Sequence, residues 1–150
     1  QHMGTTLVCA VARSDMAIIG NIGDSRAYHI TPEGIFQISR DHSVVENMVA
    51  KGDLTPLEAR THPNRNLITR ALGPDIHAKA DTFELPWHKD EFLLLCSDGL
   101  VNTVSDQEML FEVLHDGDVN ECLDHLLQIS LQRGAPDNIT AVLLLNEEGR

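Results

Sequence analysis

The stretch Phe92-Leu93-Leu94-Leu95-Cys96-Ser97-Asp98-Gly99-Leu100 decides how this chain is read. An apolar run of strand length ends abruptly at a short carboxylate followed by glycine, as a buried strand does when it meets a turn. The device recurs twice. Asp24 stands in Gly20-Asn21-Ile22-Gly23-Asp24-Ser25-Arg26, after the apolar run Met16-Ala17-Ile18-Ile19. Asp137 stands in Ala135-Pro136-Asp137-Asn138-Ile139-Thr140, before Ala141-Val142-Leu143-Leu144-Leu145. Taken singly, each is an ordinary turn in which aspartate satisfies its own backbone. Taken together, they put short carboxylates beside Gly or Asn at strand boundaries, where one sheet edge can collect them. Hard divalent cations require such oxygen ligands, and clustered cations usually serve chemistry on phosphate esters.

Outward from these motifs, the first forty residues read as an antiparallel meander. Val8 to Ala12 and Met16 to Ile19 form a hairpin across Arg13-Ser14-Asp15, Arg26 to Ile30 continues past Gly23, and Ile35 to Ile38 returns after Pro32-Glu33-Gly34. Residues 43–75 are polar and broken into small pieces, and read as a flap over the core. Helix starts are expected at Ser43 with Glu46, Thr55 with Glu58, Ser105 with Glu108 and Asp118 with Glu121, all at capping-box spacing. Strands resume at Ala80 to Leu85 and Glu91 to Cys96. One helix carries Met109, Leu110, Val113 and Leu114 on a face, and another carries Leu123, Leu126, Leu127 and Leu131. A last strand spans Ile139 to Leu145. The pattern suggests an antiparallel sheet covered by helices, an α+β fold in one domain.

Bulk composition narrows the function classes. The 23 acidic against 11 basic residues give −12 with histidine neutral, which leaves no basic patch for nucleic acid or an anionic membrane. Aromatic residues are only 4%, so the core must be mostly aliphatic. Cys9, Cys96 and Cys122 are odd in number and widely spaced, and read as reduced core thiols of a cytoplasmic protein. No run approaches membrane-span length and no signal peptide is visible. Gln1-His2-Met3 reads as a cloning scar, with a natural origin the alternative, so the domain is taken as 4–150. The eight histidines are scattered without metal spacing and read as surface or structural groups.

The order of the motifs carries a resemblance. Met3-Gly4-Thr5-Thr6-Leu7-Val8, the Gly20 to Tyr28 segment, Asp41-His42-Ser43, Leu67-Ile68-Thr69-Arg70-Ala71-Leu72-Gly73, Leu94 to Leu100 and Ala135 to Thr140 run in series over nearly the whole chain. The chain resembles the C-terminal two-thirds of the catalytic domain of a bacterial metal-dependent Ser/Thr protein phosphatase of the 2C type. That resemblance implies an α-β-β-α sandwich of antiparallel sheets flanked by helices, here truncated at the N-terminus. It implies two Mg²⁺ or Mn²⁺ ions at a sheet edge, with Asp98 and Asp137 as ligands, and a third ion shared by Asp24 and Asp98. It implies a flap at about 43–75 that affects substrate access, with Ser43 and Arg70 as weak substrate or flap candidates. The activity implied is hydrolysis of phosphoserine and phosphothreonine in proteins by metal-activated water, with no covalent intermediate.

Arg26 is read either as orienting Asp24 or as a sheet-edge cation, and Arg70 either as meeting a phosphopeptide or as bracing the flap. The resembling family also carries an early Arg beside an acidic pair and an Asp-Gly-x-Gly-Gly segment, neither of which this chain contains. Its metal sites are therefore expected to be partial, and the chain by itself to be nearly inactive. A phosphoprotein is the expected partner, alongside self-association or a retained N-terminal piece. A non-catalytic phosphatase-like binding domain is the competing reading.

Overall fold

The computed structural model describes residues 3–148. Seven strands and five helices follow in the order β1 (Leu7–Ala12), β2 (Met16–Ile22), β3 (Arg26–Thr31), β4 (Gly34–Gln37), α1 (Val44–Ala50), α2 (Pro56–Arg60), β5 (Asp81–Pro86), β6 (Phe92–Cys96), α3 (Asp98–Val101), α4 (Asp106–His115), α5 (Val119–Gln132) and β7 (Ala141–Leu145). All pairings between these strands are antiparallel. They form two sheets, ordered β1-β2-β5 and β4-β3-β6-β7.

The split corrects the expected meander. β2 and β3 follow each other in the chain but lie in different sheets, so the backbone crosses between layers at Gly23-Asp24-Ser25. Side-chain alternation explains how the layers bind. Ala17, Ile19 and Leu85 of the three-stranded sheet pack against Ala27 and Leu93 of the four-stranded sheet, with Leu95 and Leu144 at the margin. The opposite face of that second sheet presents Tyr28, Ile30, Leu94, Cys96 and Leu143 to Met109 and Val113 of α4 and Cys122 and Leu126 of α5. β6 is thus covered on both faces, which is why its run of apolar residues is continuous rather than alternating. Among the described residues, no helix covers the outer face of the three-stranded sheet, where Leu7, Val11 and Ile18 are exposed.

The local start signals act as their chemistry dictates. Thr55 and Ser105 head complete capping boxes with Glu58 and Glu108. Ser43 accepts from the Glu46 amide, and Asp118 from Asn120. Two details differ from expectation. α5 buries Cys122, Leu126 and Ser130, while Leu127 and Leu131 stay exposed. Ser130 tolerates burial because its Oγ lies 2.7 Å from Thr103 Oγ1, a hydrogen bond. Cys9 is exposed on β1 rather than in the core. No helix of the described residues is long and apolar enough to cross a membrane.

Candidate metal centre

Asp24 sits in the crossing between the sheets. The turn requires glycine before it: Gly23 has φ +105°, and a Cβ there would collide with the Thr6 side chain. The turn is held by several groups. His42 donates its main-chain N–H to Gly23 O at 2.9 Å, and its ring Nδ1 accepts from Gly23 N at 3.0 Å. Asn21 Nδ2 donates to Arg40 O at 3.0 Å and reaches Gly23 O at 3.5 Å. Ser25 Oγ and Thr6 Oγ1 are 2.8 Å apart.

Asp98 is the first residue of α3, a single helical turn too short to announce itself by periodicity in the sequence. Ser97 ties this turn to the loop that carries Asp137. Ser97 N donates to Thr140 O at 2.9 Å, and Thr140 N donates to Ser97 Oγ at 3.0 Å. Gly99 has no room for a side chain, because its Cβ would strike Asn138 O. The Asp98 and Asp137 segments are therefore pressed together by backbone contact. Asp137 is exposed, and its Oδ1 accepts from the Asn138 amide at 2.7 Å.

The electrostatics join the aspartates in pairs. The Asp98 carboxyl is held above its ordinary value, first by burial and then by the charge of Asp137. Asp24 is pushed up to about 6, first by burial, then by Asp98 and Asp41. Asp98 is thus the shared member. The three carboxylates do not close on a single point: the trio of the described residues whose ligand atoms all lie within 4.8 Å is Glu112, Asp116 and His125, on α4 and α5.

A cleft of about 660 Å³ opens beside them, with Asp24, Asp41 and Asp98 on one wall and Glu46, Pro56 and Arg60 of the 43–75 segment on the other. That segment is tied down where it meets the site. Val44 N donates to Leu67 O at 3.0 Å, Thr69 N to His42 O at 2.9 Å, and Arg60 Nη2 to Val101 O at 3.0 Å. Ser43 is buried as the cap of α1. Arg70 Nη1 donates to Asp81 Oδ1 at 2.9 Å and to Lys79 O at 3.3 Å.

Sequence reasoning assigned no role to Asp41, which proves central. Arg26 grips it with three bonds of 2.8–3.1 Å, from Nε and Nη2, and donates from Nη1 to Tyr28 OH at 3.0 Å. Tyr28 OH passes the chain on to Asp106 Oδ1 at 3.1 Å. The cation nearest Asp24 in sequence is therefore committed to a different carboxylate. The only advance signal was the Asp41-His42-Ser43 motif itself.

Comparison with known proteins accords with this geometry. The family described as Protein phosphatase 2C matches residues 1–143. The chain belongs to the protein phosphatase 2C family. Serine/threonine phosphatase stp of Listeria monocytogenes serotype 4b is 36% identical over 151 residues, covering 99% of this chain and 60% of that protein. A bacterial serine phosphatase crystal structure superposes with a TM-score of 0.92 at 41% identity, over 99% of this chain and 60% of that one. The catalytic domain of the serine/threonine protein phosphatase PstP, solved in complex with two manganese ions, superposes at 0.82 with 34% identity over 94% of this chain and 58% of that one. The chain thus spans about 60% of the length of these family members. The α+β architecture of antiparallel sheets and flanking helices is the one it shares with them.

Proposed function

We propose that this chain is part of a protein phosphatase that hydrolyses phosphoserine and phosphothreonine esters, with Asp98 at the centre of its Mg²⁺ or Mn²⁺ site. The observation that carries the reading is the pair Asp24 and Asp98 at the wall of a cleft, with carboxyl pKa values raised first by burial and then by neighbouring carboxylates, Asp98 acting on Asp24 and Asp137 on Asp98. The donor set fits the proposed ions: carboxylate oxygens suit Mg²⁺ and Mn²⁺, whereas a zinc centre draws on imidazole or thiolate.

Asp98 with Asp137 would hold one ion, and Asp98 with Asp24 another. Bound there, a divalent cation supplies Lewis acidity toward water and toward phosphate oxygens. The residues of the chain do the rest. Gly99 and Ser97 hold Asp98 against the Asp137 loop, and the His42 and Asn21 contacts hold the Asp24 turn. The 43–75 wall limits which phosphopeptide side chains enter the cleft. The Arg26–Asp41 pair keeps a cation and its counterion at the cleft wall, hydrogen-bonded to each other while both act electrostatically on Asp24.

Two carboxylates per ion leave most coordination positions to water, so the chain by itself binds metal weakly and turns over slowly. The exposed Leu7, Val11 and Ile18 face supports self-association of this chain. The free thiols fit a reducing, cytoplasmic setting.

The test pairs metal binding with turnover. Mn²⁺ binding followed by electron paramagnetic resonance should be lost in Asp98→Asn, the shared ligand, and only weakened in Asp24→Asn. Equal binding by wild type and Asp98→Asn would overturn the site. Release of phosphate from phosphothreonine peptides should require Mn²⁺ and fall with the same substitution. Turnover by this chain comparable with that of an intact relative would overturn the claim of weak activity.

A further inference from the structure

We propose that His42 is a positioning residue for Asp24, fixing the backbone turn that carries this carboxylate and linking that turn, through Asp81, to Arg70 of the flap. The proposal rests on the reading of Asp24 as a metal ligand and adds what holds it in place.

His42 is buried, at 5% exposure, and each of its polar groups is engaged. Its main-chain N–H donates to Gly23 O at 2.9 Å, and its carbonyl accepts from Thr69 N at 2.9 Å. Its Nδ1 lies 3.0 Å from Gly23 N. A backbone amide can only donate, so Nδ1 is an unprotonated acceptor and the ring proton resides on Nε2. From there it donates to Asp81 Oδ2 at 2.7 Å. The other oxygen of Asp81 accepts from Arg70 Nη1 at 2.9 Å.

Gly23, the residue preceding Asp24, is thus gripped on both its N–H and its C=O by the same histidine. That matters because Gly23 is in the left-handed region and has no side chain to restrain it. The Asp81 carboxylate selects the ring tautomer that can accept from Gly23, as an outer carboxylate does for a ligand-bearing histidine. Arg70 in turn fixes Asp81. In this linkage Arg70 acts as a brace, and the brace ends at the turn of Asp24.

The experiment uses this chain labelled with ¹⁵N. Long-range nitrogen–proton spectra should show the His42 ring with Nδ1 as the acceptor and Nε2 protonated. His42→Asn keeps an oxygen near the position of Nδ1 but cannot reach Asp81. His42→Gln places an amide nitrogen toward Asp81 but offers Gly23 no acceptor. Hydrogen exchange at the Gly23 amide should stay within about threefold of wild type in His42→Asn and rise by about tenfold in His42→Gln. Mn²⁺ binding followed by electron paramagnetic resonance should weaken in His42→Gln and recover in His42→Asn. A merely space-filling histidine would give Gln and Asn the same effect, and that result overturns the proposal.

A protonated Nδ1 in the wild-type chain overturns it as well. If His42→Gln does not fold, Asp81→Ala serves: the tautomer should become mixed and Gly23 exchange faster, and an unchanged ring and amide would defeat the linkage. Absence of Mn²⁺ binding by the wild-type chain would sink the metal reading of Asp24. The ring tautomer and Gly23 exchange would still decide whether His42 sets the turn.

Discussion

The carboxylates on α4 and those at the sheet edge are alike in residue type and opposite in electrostatic condition. Asp116 and Glu112 face His125, whose Nδ1 lies 3.0 Å from Asp116 Oδ1 and 3.6 Å from Glu112 Oε2. The carboxylates raise the proton affinity of His125, first through the hydrogen bond to Asp116, so this cluster holds a group that becomes cationic on protonation. Asp24 and Asp98 have no histidine among them; burial first, and then the charge of neighbouring carboxylates, raises both above the ordinary aspartate value. The comparison teaches that packing carboxylates tightly is not what marks a metal centre. A cluster with a protonatable histidine offsets part of its own charge, whereas one built of carboxylates alone gains more from any cation of suitable size.

Arg26 shows that the imbalance is local and built in. It stands two residues from Asp24 yet places its guanidinium on Asp41, with side-chain exposures of only 19% and 11% for the pair. Removing it should therefore have the largest effect. Arg26→Ala should cost about 3–5 kcal/mol of stability in urea unfolding, because it strands a mostly buried carboxylate. A loss below about 1 kcal/mol would mean that Asp41 shares the charge of the sheet-edge aspartates rather than depending on Arg26.

Gly99→Ala tests the contact that makes neighbours of Asp98 and Asp137. A methyl group there collides with Asn138 O, so the Asp137 loop must retreat. The expected cost is about 2 kcal/mol, together with a Mn²⁺ affinity lowered by more than about tenfold. Undiminished affinity would show that the aspartates need not touch to act together.

What could be read in advance follows the range of each interaction. Thr55 with Glu58 and Ser105 with Glu108 were legible because a cap is decided within four residues. β6 was legible because burial on both faces leaves no polar position in its run. Asp24, Asp98 and Asp137 stood out because each interrupts an apolar run with a short acid. Their surroundings did not. The crossing at Gly23 depends on β2 pairing with β5, some sixty residues onward, while β3 pairs with β6. The hold of His42 on Gly23 and of Arg26 on Asp41 joins residues 19 and 15 apart in the chain, with no local pattern to reveal either. The stripe on α5 misled because Ser130 is buried through a hydrogen bond to Thr103, a contact that hydropathy does not see.

Asp24→Asn addresses the sheet-edge cluster through pH. The folded carboxyl has a pKa of about 6 against an ordinary 3.8. A raised folded pKa contributes stability that is fully present below the unfolded value and is lost as pH rises through the folded one. Above pH 6 the wild-type chain therefore carries a charge it is better off without. The whole shift corresponds to about 3 kcal/mol, and partial exposure reduces this to about 1 kcal/mol. Asp24→Asn should accordingly melt higher than wild type at pH 7.5 and equal it near the ordinary aspartate pKa. Saturating Mn²⁺ should reverse the order at pH 7.5, since the cation restores to wild type what asparagine cannot use. A variant less stable than wild type in the absence of metal would show that Asp24 already has a partner.

The smallest effect is expected at the α4 cluster. His125 is exposed, and its pKa is raised above the ordinary 6.5 by Asp116. Its contribution is fully present below that ordinary value and fades as pH rises through the folded one, the same sign as Asp24 from the opposite kind of group. His125→Gln should therefore lower the melting temperature slightly at pH 5.5 and leave it unchanged at pH 9, with added salt erasing the difference even at low pH. The substitution also removes the protonatable partner of Glu112 and Asp116. If charge balance alone created metal affinity, the variant would now bind Mn²⁺ on α4. We expect no Mn²⁺-induced broadening of the Asp116 amide, because Glu112 and Asp116 do not line the cleft that Asp24 and Asp98 face. Broadening there would mean that a place at the cleft wall counts for less than imbalance of charge.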